Sequence, residues 1–242
     1  MAALLSKLKS PLAVVSTEEE VEMQPVTVVC FSDTHGRHRD VFVPEGDILI
    51  HAGDFTHFGK IEDAKDFNEW LGDQPHTYKI VVNGNHESNS EWIDCISTVL
   101  SNAIHLCQNS VTVKVNNTNV TLFGTQFKWP MKEANPYYNE VQACDILICH
   151  GPVEGMVDGG YGCPMLRDTV ERVRPRLVVS GHIHKAYGQC TGMGGIKFVN
   201  AANAGLHHSK MEHPAVFLKL MLPVAKLEGN CEGGNGAQAS EN

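Results

Sequence analysis

Seven short runs of β-branched and aliphatic residues recur along the chain: VTVVCFSD (26–33), DILIHAGD (47–54), KIVVNGNH (79–86), CDILICHG (144–151), LVVSGHIH (177–184), IKFVNAA (196–202) and AVFLKLML (215–222). Most are almost continuously apolar, which predicts strands covered on both faces. VTVKVNNTNVTLFGT (111–125) instead alternates and breaks at Asn116 and Asn117, the pattern of a hairpin. Helical spacing falls between the runs. In IEDAKDFNEWLGDQ (61–74), Ile61, Ala64, Phe67 and Leu71 share a face. SEWIDCISTVLSN (90–102) has Ser90 as a cap and groups Trp92, Ile93, Ile96 and Leu100, while MLRDTVERVRP (165–175) stops at Pro175. Strands and helices alternate early, then a hairpin and late strands break the alternation, so the expectation is a mixed α/β sandwich. Its body spans residues 24–224, between a mobile arm (1–23) and a Gly/Asn-rich tail (225–242) expected to be disordered.

Composition narrows the partners. The 242 residues are 42% hydrophobic, enough for one substantial core, and carry a net charge of −9 with a pI near 5.8. Binding to nucleic-acid backbones needs clustered Lys and Arg, so a stable nucleic-acid complex is not expected. The apolar stretch at the N-terminus is too short and broken to span a membrane. The EEE run also argues against a transit peptide. None of the eight cysteines forms a CxxC pair. They read as free thiols in a reducing compartment, the cytoplasm. The sequons at Asn116 and Asn119 read as chance matches.

The chemistry sits where the apolar runs end. Asp33 and His35, Asp54 after Gly53, Asn85 with His86 and Glu87, His150 with Gly151, and His182 with His184 each follow such a run. In open α/β sheets ligands bind beyond the carboxyl ends of the strands. Residues i and i+2 of an extended chain face the same way, so Asp33 with His35, and His182 with His184, can each aim two ligands at one point. Glycines before Asp54, Asn85 and His182 permit close backbone approach. Asp, Asn and His without thiolate suit two divalent ions, Mn²⁺ first and Fe or Zn²⁺ next, better than Ca²⁺ or a structural zinc.

The ordered set in FSDTHGRH, GDILIHAGDFTHFG, VVNGNHE, His150-Gly151, RVRPRLVVSGHIHKAYG and FVNAANAG resembles the calcineurin-like metallophosphoesterase superfamily, nearest its animal metallophosphoesterase domain-containing branch. The resemblance covers about residues 26–205. It implies a four-layer αββα sandwich of two mixed sheets. It also implies one metal held by Asp33, His35, Asp54 and His184 and a second by Asp54, Asn85, His150 and His182. Asp54 bridges them, and His86 protonates the leaving oxygen. The implied reaction is in-line attack by a metal-bridging hydroxide, with no covalent intermediate. One departure stands out: His57 occupies a position three after the bridging Asp where many members carry an acid.

The expected function is therefore a metal-dependent phosphodiesterase acting on nucleotides, cyclic ones included, or on related diesters. A phosphomonoesterase or nucleotidase, and a low-activity nucleotide-binding or protein-interaction scaffold, remain as alternatives. Tyr161 in the Gly-rich loop 153–165 is a candidate to stack on the substrate, beside Asn85 and His86. Arg37 and His38 are candidate phosphate contacts, and Asn200, Asn203, His207 and His208 candidate pocket residues.

Overall fold

Alternate residues of β1 (Met23–Phe31) serve two different cores. Val26, Val28 and Cys30 point into a layer between two sheets, while Val29 and Phe31 point outward to helices. A strand with both faces covered is what its nearly unbroken apolar run requires. The structure is a computed structural model and describes residues 21–130, 133, 136–206 and 210–224.

The first sheet also holds β2 (Ile48–His51), β3 (Tyr78–Val81), β4 (Ile104–His105) and β11 (Val216–Pro223), in the order β11-β1-β2-β3-β4. β1, β2, β3 and β4 are parallel, and β11 closes one edge antiparallel to β1. The second sheet comprises β5 (Asn109–Val115), β6 (Thr118–Gly124), β7 (Ile146–Ile148), β8 (Leu177–Ser180), β9 (Gly188–Gly192) and β10 (Ile196–Asn200), in the order β5-β6-β7-β8-β10-β9. β6, β7, β8 and β10 are parallel, flanked by the antiparallel edges β5 and β9. The hairpin turns at Asn116, whose φ of 53° is the left-handed conformation asparagine tolerates.

Between the sheets Val28, Ile50 and Ile80 meet Val120, Leu122, Ile148 and Val179. Outside the first sheet, α1 (Ile61–Asp73) buries Ala64, Phe67, Trp70 and Leu71, close to the predicted stripe. Outside the second, the short α3 (Pro136–Asn139) buries Tyr138 and α4 (Pro164–Val173) buries Leu166 and Val170, and Pro164 opens α4 where a missing N–H costs nothing. The layers are therefore helix, sheet, sheet, helix, the expected αββα sandwich.

Segment 90–102 departs from the expected single helix. It forms a 3₁₀ turn (Ile93–Cys95) and one short turn, α2 (Ile96–Val99). Trp92, Ile96 and Leu100 are still buried as the spacing required. Asp94, Cys95, Ser97 and Thr98 are weak helix formers, and the Ser90 hydroxyl donates to the Glu87 carbonyl rather than capping a long helix. The expected arm meets the described residues only at 21–23, where Met23 already pairs with Pro223. Residues 1–20, the tail from 225, His207 and His208 lie outside the described residues.

Candidate dinuclear metal centre

Asp33, Asp54 and Asn85 follow the carboxyl ends of three adjacent parallel strands, β1, β2 and β3; His150 and His182 follow β7 and β8 of the other sheet. Backbone bonds bring the loops together. Asp33 N–H donates to the Gly53 carbonyl (3.0 Å), His35 N–H to the Asp54 carbonyl (3.0 Å), and Gly181 N–H to the His150 carbonyl (2.8 Å). The sheets are joined at the site as well. His182 N–H donates to the Asp33 carboxylate at 2.9–3.0 Å, and Asn203 N–H to the Ser32 carbonyl at 2.9 Å.

Asp33, His35, Asp54 and His182 all have left-handed backbone, with φ of 56°, 45°, 57° and 65°. Four non-glycine residues in that region within one cluster are the kind of strain that collects at functional sites. Two glycines make the approach possible. A Cβ on Gly84 would lie 2.0 Å from Asp54 Oδ1, and one on Gly181 would lie 2.1 Å from Asp33 Oδ2.

The side chains converge in three overlapping groups: Asp33, His35 and His184; Asp54, His150 and His182; and His35, Asp54 and His86. In each group the ligand-capable atoms lie within 4.8 Å of one another. His184 Nε2 is 3.3 Å from both Asp33 Oδ1 and His35 Nε2. His150 Nε2 is 3.3 Å from Asp54 Oδ2 and 3.2 Å from Asn85 Oδ1. The first two groups contain six of the seven predicted ligands, and Asn85 joins the second through His150.

The donor chemistry fits divalent cations. His150 Nδ1 donates to the Ala52 carbonyl (2.7 Å) and His184 Nδ1 to the Gly205 carbonyl (3.0 Å), leaving Nε2 of each ring turned toward the carboxylates. Electrostatics agrees. Burial alone would raise the Asp33 carboxyl, but the facing His150 and His184 hold it well below the usual range. Burial opposes charge on His150 too, yet Asp54 and Asp33 push it up to about 9. Burial and then the His150 charge lower His182 to about 4. Two buried carboxylates thus demand positive charge between them, and a proton on His150 meets part of that demand when no cation does.

Several predicted residues lie elsewhere. Arg37 turns to Asp40 (Nη2 to Oδ2 2.8 Å) and does not line the cavity at the site. His38 is fully buried against Phe67 and Trp70 with Nε2 3.1 Å from Asp66, so it serves the α1 interface. Asn200 and Asn203 are buried braces. The first donates to the Val157 and Ile183 carbonyls; the second accepts from Ser32 N–H and donates to His213. Tyr161 does line the cavity, together with Asp54, Asn85 and His86. Its loop is held by the Asp158 carboxylate, which accepts from the N–H groups of Gly155, Gly160 and Gly162.

Sequence patterning assigns no role to Glu87, which is fully buried and accepts from the N–H groups of Asp54, Thr56 and Gly84 and from the Thr56 hydroxyl at 2.7–3.0 Å. It fixes the two glycine turns that carry Asp54 and Asn85. Burial, then the Asp54 charge, raises it to about 7. Trp129 also went unassigned; its ring stands edge-on to His182, with centroids 4.5 Å apart. The signal for Glu87 was its charge directly after a three-residue turn that must fold inward. Trp129 left no comparable signal.

The comparisons with known proteins meet this site. The calcineurin-like phosphoesterase family pattern matches residues 26–186. Human metallophosphoesterase domain-containing protein 1 is 35% identical over 226 residues, covering 78% of this chain and 69% of that protein. A UPF0046 protein of Caenorhabditis elegans is 34% identical over 220 residues, covering 78% and 74%. The Thermus thermophilus protein TT1561 shares the fold, with a TM-score of 0.55 at 13% identity, over 73% of this chain and 89% of that one. The fold and the clustered carboxylates and imidazoles are those of a metal-dependent phosphoesterase. The chain belongs to the calcineurin-like phosphoesterase family, in company with the animal metallophosphoesterase domain-containing proteins. Among the described residues no helix is long and apolar enough to cross a membrane.

Proposed function

We propose that the protein hydrolyses small phosphodiesters, nucleotide and cyclic nucleotide diesters among them, at a site for two divalent ions. Asp33, His35, Asp54 and His184 would hold one ion, and Asp54, Asn85, His150 and His182 the other. When bound, such ions supply Lewis-acid polarisation of the phosphoryl oxygens and an activated water. Mn²⁺ is the first choice, with Fe and Zn²⁺ next, because the donors are carboxylate, amide oxygen and imidazole with no thiolate.

The observation that carries the diester reading is the wall of the cavity beside the centre. It measures about 490 Å³, and Tyr161, Ile183 and Leu206 line it with Lys185, the one Lys or Arg of its lining among the described residues. Arginine often grips a monoester dianion in a bidentate pair, and among the described residues no arginine lines this cavity. A diester carries one negative charge and two organic groups, which an apolar rim with one lysine suits. Tyr161 is 55% exposed, and Lys185 Nζ sits 4.2 Å from its ring centroid, leaving the opposite face of the ring for a planar group.

His86 is the proton donor in this reading. Its Nε2 lies 3.8 Å from Asp54 Oδ2, and its N–H donates to Asp54 Oδ1 at 2.9 Å, so its main chain is fixed to the same carboxylate. Glu87 holds the turns on which Asp54 and Asn85 ride. Buried cysteine thiols at Cys30 and Cys149 support a reducing compartment such as the cytoplasm.

The test is a panel of esters with defined metals: bis(p-nitrophenyl) phosphate, p-nitrophenyl phosphate, cyclic nucleotides, nucleoside monophosphates and a phosphopeptide. The expected result is a higher kcat/KM for diesters with Mn²⁺, abolished by chelation. A preference for monoesters would replace this reading with a phosphomonoesterase. No turnover with any divalent metal would replace it with a binding scaffold.

A further inference from the structure

At the far end of the second sheet from the metal centre, four cations gather around one cavity. β8 starts directly after Arg176 and β10 starts beside Lys197, and these parallel strands carry the chain away from this end toward His182 and Asn200. Arg174, Arg176, Lys197 and Lys219 line one cavity of about 460 Å³ with Gly194 and Gly195. Lys197 Nζ reaches the Lys219 carbonyl at 3.3 Å, so the cavity runs from β10 in the second sheet to β11 at the edge of the first. That volume lies within the range of small-molecule sites.

Two features set the cluster apart from ordinary solvated charge. Nearby carboxylates neutralise little of it. Of the four cations Asp145 meets only Arg176, at 3.5 Å, while also accepting from Thr121 N–H, and Glu171 is engaged by Arg167 at 3.3 Å. Among the described residues no carboxylate pairs with Arg174, Lys197 or Lys219, in a chain of net charge −9. The second feature is backbone strain. Arg174 ends α4 with φ of 52°, a position that glycine fills at little cost. A cation there does suit the helix carboxyl end. That accounts for one charge and not for three more from other segments. The guanidinium lies against the turn at Gly194, whose φ of 72° favours glycine and where a Cβ would stand 3.0 Å from Arg174 Nη1.

We propose that this cavity binds a small polyphosphate anion with at least two negative charges, at a site separate from the metal centre. Guanidinium groups suit paired phosphate oxygens, and the lysines add point charge. The turn at Gly194 and Gly195 brings backbone close to the ligand without side chains in the way.

The test is calorimetric titration of inorganic pyrophosphate into the full chain carrying Asp54→Asn, with chelator present, so that the metal centre takes no part. Saturable binding is expected, weakened at least fivefold by Arg174→Gly and by Lys197→Gln. Arg174→Gly relieves left-handed strain, so its thermal midpoint should not fall, which separates lost binding from lost folding. Phosphodiester turnover of both variants in the otherwise natural chain should be unchanged. Absence of pyrophosphate binding, or equal binding in the variants, would overturn the proposal. A polyglutamate peptide binding more tightly than pyrophosphate would overturn the small-anion assignment.

Discussion

The Phe58 ring lies flat on the His86 imidazole, with centroids 4.6 Å apart and planes 12° apart, and Phe58 N–H donates to His86 Nδ1 at 2.9 Å. The Thr56 carbonyl lies 3.2 Å from the same Nδ1. Both contacts hold that nitrogen, so Nε2 is the ring atom left facing the site. His57, where an acid is common in the family, is exposed and 6.4 Å from His86 between ring centroids. The backbone and an aromatic ring thus do the orienting that a carboxylate would do. His86→Ala should lower kcat by about 10²–10⁴ with metal content unchanged, the range for general-acid help. Phe58→Ala should lower it by about threefold to tenfold, less than loss of the imidazole itself. Metal analysis beside steady-state kinetics checks both; metal loss in His86→Ala would make His86 a ligand.

Asp54 shares one group with His35 and another with His150 and His182, which places it between the two halves of the centre. Asp54→Asn should therefore empty both metal positions, whereas His184→Ala should weaken chiefly the one shared with Asp33 and His35. Elemental analysis of the purified variants distinguishes the two, and loss of one ion in Asp54→Asn would remove the bridging role.

Glu87→Ala would leave the N–H groups of Asp54, Thr56 and Gly84 buried without their acceptor. Each such donor costs about 1–3 kcal/mol, so a loss of at least ~3 kcal/mol is expected by denaturant titration. A neutral result would mean that water replaces the carboxylate.

Metal affinity should depend on pH through His150. Free of metal its pKa is held up to about 9, so binding must displace its proton. Apparent affinity for Mn²⁺ should rise as pH increases toward 9, by about tenfold per unit for one displaced proton. A pH-independent affinity between pH 6 and about 8, measured by calorimetry, would show that His150 is not a ligand.

Acid should destabilise the protein for a different reason. Burial lowers His38 and His105 to about 4, against an ordinary value near 6.5. Histidines with depressed folded values take up protons more readily when unfolded. Their contribution is intact above pH about 6.5 and is lost as pH falls toward 4. Unfolding free energies measured between pH 7 and 4 should decline over that window, and His38→Phe should flatten part of the decline.

The strand ends were legible because continuous apolar runs stopping at Asp33, Asp54, Asn85, His150 and His182 leave few other arrangements. Period-two spacing was a poorer guide: Asp33, His35 and His182 take left-handed rather than extended backbone, and while Asp33 and His35 do share one group, His182 and His184 face different ones. The polar edge strand β9, GQCTG, lacked any such pattern. Arg37 illustrates a different limit: position along the chain put it beside the site, but Asp40 three residues on provides a nearer partner. His38 shows the same limit inward, since a histidine one residue further turns into an aromatic cluster. Glu87 was visible as a charge and invisible as a brace, because its partners are backbone groups that only the folded turns bring together.

The centre draws Asp33, His35, Asp54 and Asn85 from one sheet and His150, His182 and His184 from the other, so it lies on the seam of the sandwich. Bound ions would rivet the two halves, and loading should raise the unfolding temperature by mass action. The converse also holds. The gauge of the reaction chamber is set by how tightly Val28 and Ile50 pack against Ile148 and Val179, so a cavity made deep between the sheets would be felt at the phosphorus.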